Sequence, residues 1–297
     1  MKIKRTLIVG GTHGNELTGI YLVKKFEREP QLIQRESFET CTLLANQKAY
    51  EIGKRYVDTD LNRCFQSSCL DNLKLSSYEA QRARVINHAF GTGGSRQADF
   101  VVDLHSTTSN MGLTIILASK KIFNLQLAAY LCDVNPNVKV LYSVPKNQDN
   151  PYLGSICEFG CTIEVGAVAQ GILDANLFQQ TEKLIHTILD YVQAYNQGVP
   201  PQVRDTLLVY ESIGTIDYPR NEAGEIQAMI HPQLQFQDYQ ALNSGEPMFL
   251  TFDGEEIVYE GNSVVYPVFI NESAYYEKGV AMVITCPEYF STTRPLT

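Results

Sequence analysis

The chain has 297 residues, 44% of them hydrophobic and 19% charged, with a formal net charge of −9. That is enough apolar material for a sizeable core in one large or two smaller domains, and net acidity without a basic block argues against nucleic-acid binding. No apolar run reaches the ~20 residues of a membrane span, and seven cysteines without a Cys-x-x-Cys pair point to reduced thiols in a cytoplasmic protein rather than a disulfide framework.

The N-terminal Met1-Lys2-Ile3-Lys4-Arg5 is basic, but the apolar run behind it stops at Gly10-Gly11, so it reads as the approach to a first strand and not as a signal peptide. Residues 6–9 form that strand. Residues 15–28 follow as a helix, with Leu17, Ile20, Tyr21 and Val23 apolar and Pro30 closing it. A strand is expected at 41–45. Residues 55–63 show neither period and read as a loop. A helix over 78–90 ends in Gly91-Thr92-Gly93-Gly94. Residues 100–104 form a continuous apolar strand of the kind buried in a parallel sheet. Then come a strand at 113–118, a helix at 123–132 stopped before Asn135-Pro136, a strand at 161–165 and a long helix at 176–195. This alternation predicts an α/β fold with a mostly parallel sheet. Gly198-Val199-Pro200-Pro201 looks like a linker. Beyond it, short β runs at 206–210, 248–252, 257–259, 264–269 and 280–285 are punctuated by Asp253-Gly254 and Gly261-Asn262. The expected division is a catalytic domain over 1–198 and a smaller β-rich domain over 202–297.

The chemistry concentrates at strand ends, where open α/β sheets bind ligands. His13 and Glu16 lie in the turn and helix start after the first strand, and His105 ends Phe100-Val101-Val102-Asp103-Leu104-His105. Two imidazoles and one carboxylate are a ligand set for catalytic zinc, with a fourth position left open. Glu164 interrupts the apolar strand Thr162-Ile163-Glu164-Val165-Gly166, a costly place for a carboxylate unless it is paired, metal-bound or functional. Beside a zinc-activated water it is the natural general base; the alternative is a salt-bridged edge-strand glutamate. The loop Arg55-Tyr56-Val57-Asp58-Thr59-Asp60-Leu61-Asn62-Arg63 carries two arginines, an asparagine and two aspartates, a set that suggests carboxylate recognition, although a solvated polar loop has the same composition. Asp103, two residues before His105 on the same strand face, is either an orienting partner for an imidazole or a sheet-edge carboxylate. His88, His186 and His231 have no partner pattern and read as structural or surface residues.

The motifs Gly10-Gly11-Thr12-His13-Gly14-Asn15-Glu16, Asp58-Thr59-Asp60-Leu61-Asn62-Arg63, Asp103-Leu104-His105-Ser106-Thr107-Thr108-Ser109-Asn110-Met111-Gly112 and Ile163-Glu164-Val165-Gly166 closely resemble the aspartoacylase family. So do the C-terminal runs Ala228-Met229-Ile230-His231-Pro232, Pro247-Met248-Phe249-Leu250-Thr251, Tyr266-Pro267-Val268-Phe269 and Asn271-Glu272-Ser273-Ala274-Tyr275-Tyr276-Glu277, so the matches run in order through nearly the whole chain. The resemblance implies a zinc-carboxypeptidase-like fold followed by a β-rich domain. It implies one zinc per chain on His13, Glu16 and His105, with Glu164 as base. It implies that Arg55 polarises the amide carbonyl and stabilises the oxyanion, that Asn62 and Arg63 hold the substrate carboxylate, and that Tyr275 reaches the substrate from the C-terminal domain. The chain departs from the family pattern in one respect. An arginine that binds the side-chain carboxylate of acetylaspartate stands shortly before the catalytic glutamate in the family. Here no arginine occurs between Arg96 and Arg204, residues 150–156 occupy that stretch, and Lys146 is the nearest upstream cation.

The expected activity is therefore zinc-dependent hydrolysis of a small N-acyl amino acid, N-acetyl-L-aspartate first. The same chemistry on aromatic or other neutral N-acyl amino acids, carboxypeptidase activity and a non-catalytic zinc-binding module are the competing readings. Dinucleotide binding at Gly10-Gly11…Gly14 is excluded by its spacing and by the His and Glu in the turn. Self-association, as a dimer, is left open.

Overall fold

Strands and helices alternate through the first two thirds of the chain, which the computed structural model describes over residues 2–144 and 149–293. β1 (Arg5–Gly10) leads into α1 (Leu17–Arg28), and β2 (Glu39–Leu44) is followed by the short helices α2 (Gln47–Glu51) and α3 (Ser67–Leu70). Then come α4 (Tyr78–Phe90), β3 (Phe100–Ser106), β4 (Gly112–Leu117), α5 (Ile122–Val134), β5 (Val138–Tyr142), β6 (Phe159–Gly166) and α6 (Ala175–Gln197). The expected elements are present to within a few residues at their ends; β5 and the short helices α2 and α3 were not foreseen. Each long helix is held by an apolar stripe. α1 buries Ile20, Val23 and Phe26, and α6 buries Leu184, Ile185, Ile188, Leu189 and Val192. Asp174 accepts from Leu177 N–H at the start of α6, and Gly198 at φ +80° ends it.

The linker does not end the sheet. β7 (Thr206–Ile216) runs parallel to β5, and β12 (Met282–Ser291) and β11 (Tyr266–Val268) add antiparallel beyond it. The result is a nine-stranded sheet in the order β11-β12-β7-β5-β4-β6-β3-β1-β2. β8 (Ala228–Ile230), β9 (Pro247–Thr251) and β10 (Glu256–Val258) form a separate antiparallel sheet. The C-terminal segment is thus β-rich as expected, yet three of its strands extend the N-terminal sheet.

Strand parity decides which face carries the chemistry. On β3, Phe100, Val102 and Leu104 enter the core shared with α1, α5 and α6, so Val101, Asp103 and His105 face the other way. On β6, Cys161, Ile163 and Val165 enter the same core, leaving Thr162 and Glu164 on the face of His105. Register sets His105 directly beside Glu164. α1 lies close against this strand end because Gly10 and Gly19 meet without side chains: a Cβ on Gly10 would stand 2.3 Å from the Gly19 carbonyl oxygen. All seven cysteines are free, and none lies on the site face of β3 or β6. Among the described residues no helix is long and apolar enough to cross a membrane.

Candidate active site with a metal-ligand cluster

His13 leaves the β1–α1 turn, Glu16 immediately precedes α1, and His105 stands near the end of β3; all three are buried. Their donor atoms lie within 4.8 Å of one another. His13 Nδ1 is 2.6 Å from Glu16 Oε1, His105 Nδ1 is 3.0 Å from Glu16 Oε2, and the two Nδ1 atoms are 3.2 Å apart. A tetrahedral ion with ligands at about 2.0–2.1 Å separates its ligands by about 3.3 Å, so this spacing fits one.

The outer ring nitrogens support the same arrangement. His13 Nε2 meets Asp60 Oδ1 at 3.0 Å, and His105 Nε2 meets Asp103 Oδ2 at 2.8 Å. Carboxylates there fix the Nε2–H tautomer and leave both Nδ1 lone pairs facing Glu16, as metal-ligating histidines require. Thr12 Oγ1 donates to Asp103, so the turn that carries His13 also orients the partner of His105. Asp103 therefore takes the orienting alternative of the two open to it. The cluster attracts cations. Burial opposes charge on His105, yet Asp103 and Glu16 lift its pKa well above the ordinary imidazole value. Burial likewise opposes ionisation of Glu16, but the two histidines hold it well below the usual carboxylate range.

The remaining expected residues surround the same pocket. Glu164, Arg55, Asn62, Arg63 and Tyr275 line it together with the three candidate ligands. Burial pushes the Glu164 carboxyl well above its usual pKa, with Glu16 and Glu272 adding and His105 and Arg55 opposing. Arg55 donates Nη1–H to Glu16 at 2.9 Å and places Nη2 3.7 Å from Asp60, while its buried Nε has no partner. Asn62 Oδ1 accepts from Leu153 N–H, which leaves its NH2 group to donate. Arg63 stacks on Tyr152 at 4.9 Å and donates to the Asn62 carbonyl. Among the described residues it is the pocket cation without a carboxylate partner. Tyr275 packs against Phe269, and burial raises its phenol pKa, keeping a neutral hydroxyl. Lys146 lies outside the described residues. His88 is exposed, His186 packs on Phe26, and His231 pairs with Glu256, all away from the pocket.

Two residues with no role assigned from sequence complete the surroundings. Asp60, indistinguishable from Asp58 in the loop composition, accepts from Lys278 Nζ at 2.6 Å as well as meeting His13. Burial opposes its ionisation, yet His13, Arg55 and Lys278 hold its pKa far below normal. Glu272 accepts from the Thr107 hydroxyl, from Thr108 N–H at 2.7 Å and from Thr108 Oγ1 at 2.9 Å. It thereby fastens the short 3-10 turn that carries Tyr275 to the segment following His105.

Residues 2–192 match the Succinylglutamate desuccinylase/Aspartoacylase catalytic domain, and residues 205–286 match the AstE/AspA barrel-sandwich hybrid domain. A "Probable aspartoacylase" of Nostoc sp. is 58% identical, over 96% of both chains. The human "N-acyl-aromatic-L-amino acid amidohydrolase (carboxylate-forming)" is 42% identical, over 99% of this chain and 93% of that protein. The crystal structure of murine aminoacylase 3 superposes with a TM-score of 0.93 at 38% identity, covering 98% of each chain.

Proposed function

The chain belongs to the succinylglutamate desuccinylase/aspartoacylase family, and on that premise we propose that it hydrolyses the amide bond of an N-acyl amino acid, with one zinc ion held by His13, Glu16 and His105. The observation that carries this reading is convergence. Eight residues from five separate stretches of chain, expected as metal ligands, base, oxyanion stabiliser, carboxylate holders and a further substrate contact, line one pocket.

When bound, zinc supplies Lewis acidity, polarising a carbonyl oxygen and acidifying a water toward neutrality. The chain's own groups do the rest. Arg63 and the Asn62 amide bind the α-carboxylate common to all N-acyl amino acids. The Arg55 guanidinium, anchored by Glu16 and Asp60, keeps its unpartnered Nε–H for the oxyanion that develops on the amide carbonyl. Glu164 takes a proton from the attacking water and delivers it to the leaving nitrogen as the C–N bond breaks, releasing a carboxylic acid and the amino acid. The Tyr275 hydroxyl offers a further donor to the substrate.

N-acetyl-L-aspartate is the leading substrate, on the name of the Nostoc relative. A second reading, deacylation of aromatic or other neutral amino acids, is favoured by a particular feature. Ile116, Tyr152 and Phe269 line the pocket, and Arg63, among the described residues the pocket cation without an acidic partner, is already assigned to the α-carboxylate. A panel of N-acetylated aspartate, glutamate, methionine and tyrosine, assayed by kcat/KM with the zinc-loaded protein, separates the two. A preference for acetylaspartate near four decades requires a dedicated polar partner for the second carboxylate. A preference for acetyltyrosine selects the second reading. Turnover of none of them rejects the proposed function.

A further inference from the structure

Glu79 is a carboxylate with no solvent exposure, and it does not line the catalytic pocket. Its carboxylate is nevertheless saturated. Oε1 accepts from Val57 N–H at 2.7 Å and from the Asn46 amide at 3.1 Å, and Oε2 accepts from Asp58 N–H at 3.0 Å and Thr59 N–H at 3.1 Å. Three consecutive backbone amides of one loop thus converge on a single side chain. The contact is reciprocal, because Asp58 Oδ2 accepts from Tyr78 N–H at the start of α4. The position of Glu79 explains why it is free to do this. Ser77, one residue later than a Ser76-x-x-Glu79 capping box would need, caps α4 through Ala80 N–H. The Glu79 carboxylate is therefore released from its own helix end.

The loop it grips carries Arg55 two residues before the first held amide and Asp60, Asn62 and Arg63 directly after the last. A buried carboxylate bonded to several N–H groups is a rigid anchor, since losing those bonds leaves buried acceptor oxygens without partners. We infer that Glu79 is a positioning residue, which sets the reach of Arg55, Asn62 and Arg63 into the pocket by fixing residues 57–59 to α4. The inference rests on the proposed carboxylate-holding role of Arg63 and Asn62.

Glu79→Gln replaces one acceptor oxygen by an NH2 group that faces two N–H donors. Glu79→Asp keeps the buried charge but shortens the reach by one methylene, and takes its place if the Gln variant does not fold. Each is measured as full-length, zinc-loaded protein beside Arg63→Lys, on the N-acetyl amino acid that wild type turns over fastest. The expected result is a KM raised roughly 10-fold, the low end for losing an orienting partner, with faster hydrogen exchange at the amides of Val57, Asp58 and Thr59. A purely structural role would lower the folded fraction, and with it kcat, and leave KM alone. Wild-type KM in a folded Glu79 variant, or unchanged exchange at those three amides, overturns the inference even where Arg63→Lys raises KM. Wild-type KM in Arg63→Lys overturns the carboxylate-holding role instead; unchanged exchange in the Glu79 variant then still rejects the anchor, and accelerated exchange still supports it.

Discussion

Asp60 and Asp103 stand one contact behind the two imidazoles, and their effect separates from that of Glu164. Replacing Asp60 or Asp103 by Ala removes the acceptor that orients a ring, and should weaken zinc binding about 10–100-fold in chelator competition. Replacing His13 or His105 by Ala should abolish stoichiometric zinc and activity together. Glu164→Gln should bind zinc as wild type does and lose at least ~100-fold in kcat, the scale of a positioned general base. A Glu164→Gln protein of near-normal rate would assign the proton transfer to another group. The candidate ligands and Glu164 stood out in the sequence because His105 and Glu164 are polar groups at the end of, or inside, apolar strands, and His13 and Glu16 follow the glycine turn after another. The loop signalled carboxylate recognition as a whole, but composition could not rank Asp60 above Asp58. That distinction depends on which of the two faces His13, 47 residues away. Glu272 lies 165 and 164 residues from Thr107 and Thr108, which it binds, and gave no local signal. Tyr275 entered only through the family resemblance, since a lone tyrosine among 17 carries no pattern.

The strand–turn–helix unit around Gly10 and Gly19 holds Glu16 against His105. A Cβ on Gly19 would lie 2.8 Å from the Leu104 Cβ and 2.9 Å from its carbonyl oxygen, next to the residue that becomes His105. Gly19→Ala gains up to about 1 kcal/mol of helix propensity. Overpacking against backbone costs about 1–3 kcal/mol and pushes α1 off β3. The clash wins because neither element can yield in a sheet flanked on both sides. The expected outcome is a net loss of about 1–2 kcal/mol in urea denaturation, with weaker zinc binding because Glu16 moves relative to His105. Stability and zinc affinity equal to or above wild type would show that the helix start adjusts freely. Elements of this size were largely readable: α4 matches its sequence-based range and the other expected elements differ at their ends, while the short α2, α3 and β8 had no expected counterpart. β5 escaped because Val138-Lys139-Val140-Leu141-Tyr142 is only five residues long, with one charged residue inside it, too short for a period to stand out. That omission also hid the sheet's continuation, since β5 is the strand on which β7 pairs.

At the scale of the molecule, the C-terminal segment grips the loop after β3 through a second buried carboxylate. Asp238 accepts from Asn110 N–H at 3.0 Å and from Ile270 N–H at 3.1 Å, joining the two halves of the chain behind the pocket. Burial raises its pKa from 3.8 to about 6, and the backbone donors only partly offset this. The sign follows from linkage. The folded state binds this proton more tightly than the unfolded chain does, so the stabilisation it gives is full below pH 4 and is lost as pH rises through about 6. The total is about 3 kcal/mol, with a slope of at most about 1.4 kcal/mol per pH unit. Glu16 and Asp60, whose pKa values are depressed, act in the opposite sense, and their stabilisation is lost only as pH falls below the ordinary carboxylate range. Asp238→Asn is neutral at every pH; it sets an NH2 group against one of the two N–H donors, a cost that does not change with pH. The difference in unfolding free energy between wild type and Asp238→Asn cancels the other carboxylates. It should shift in favour of the variant by up to about 3 kcal/mol between pH 4 and pH 7, on top of that constant offset. Urea titrations at half-unit steps measure it directly. A difference that stays constant from pH 4 to 7 would mean that Asp238 keeps an ordinary pKa, and that the two halves are joined by an ionised carboxylate throughout.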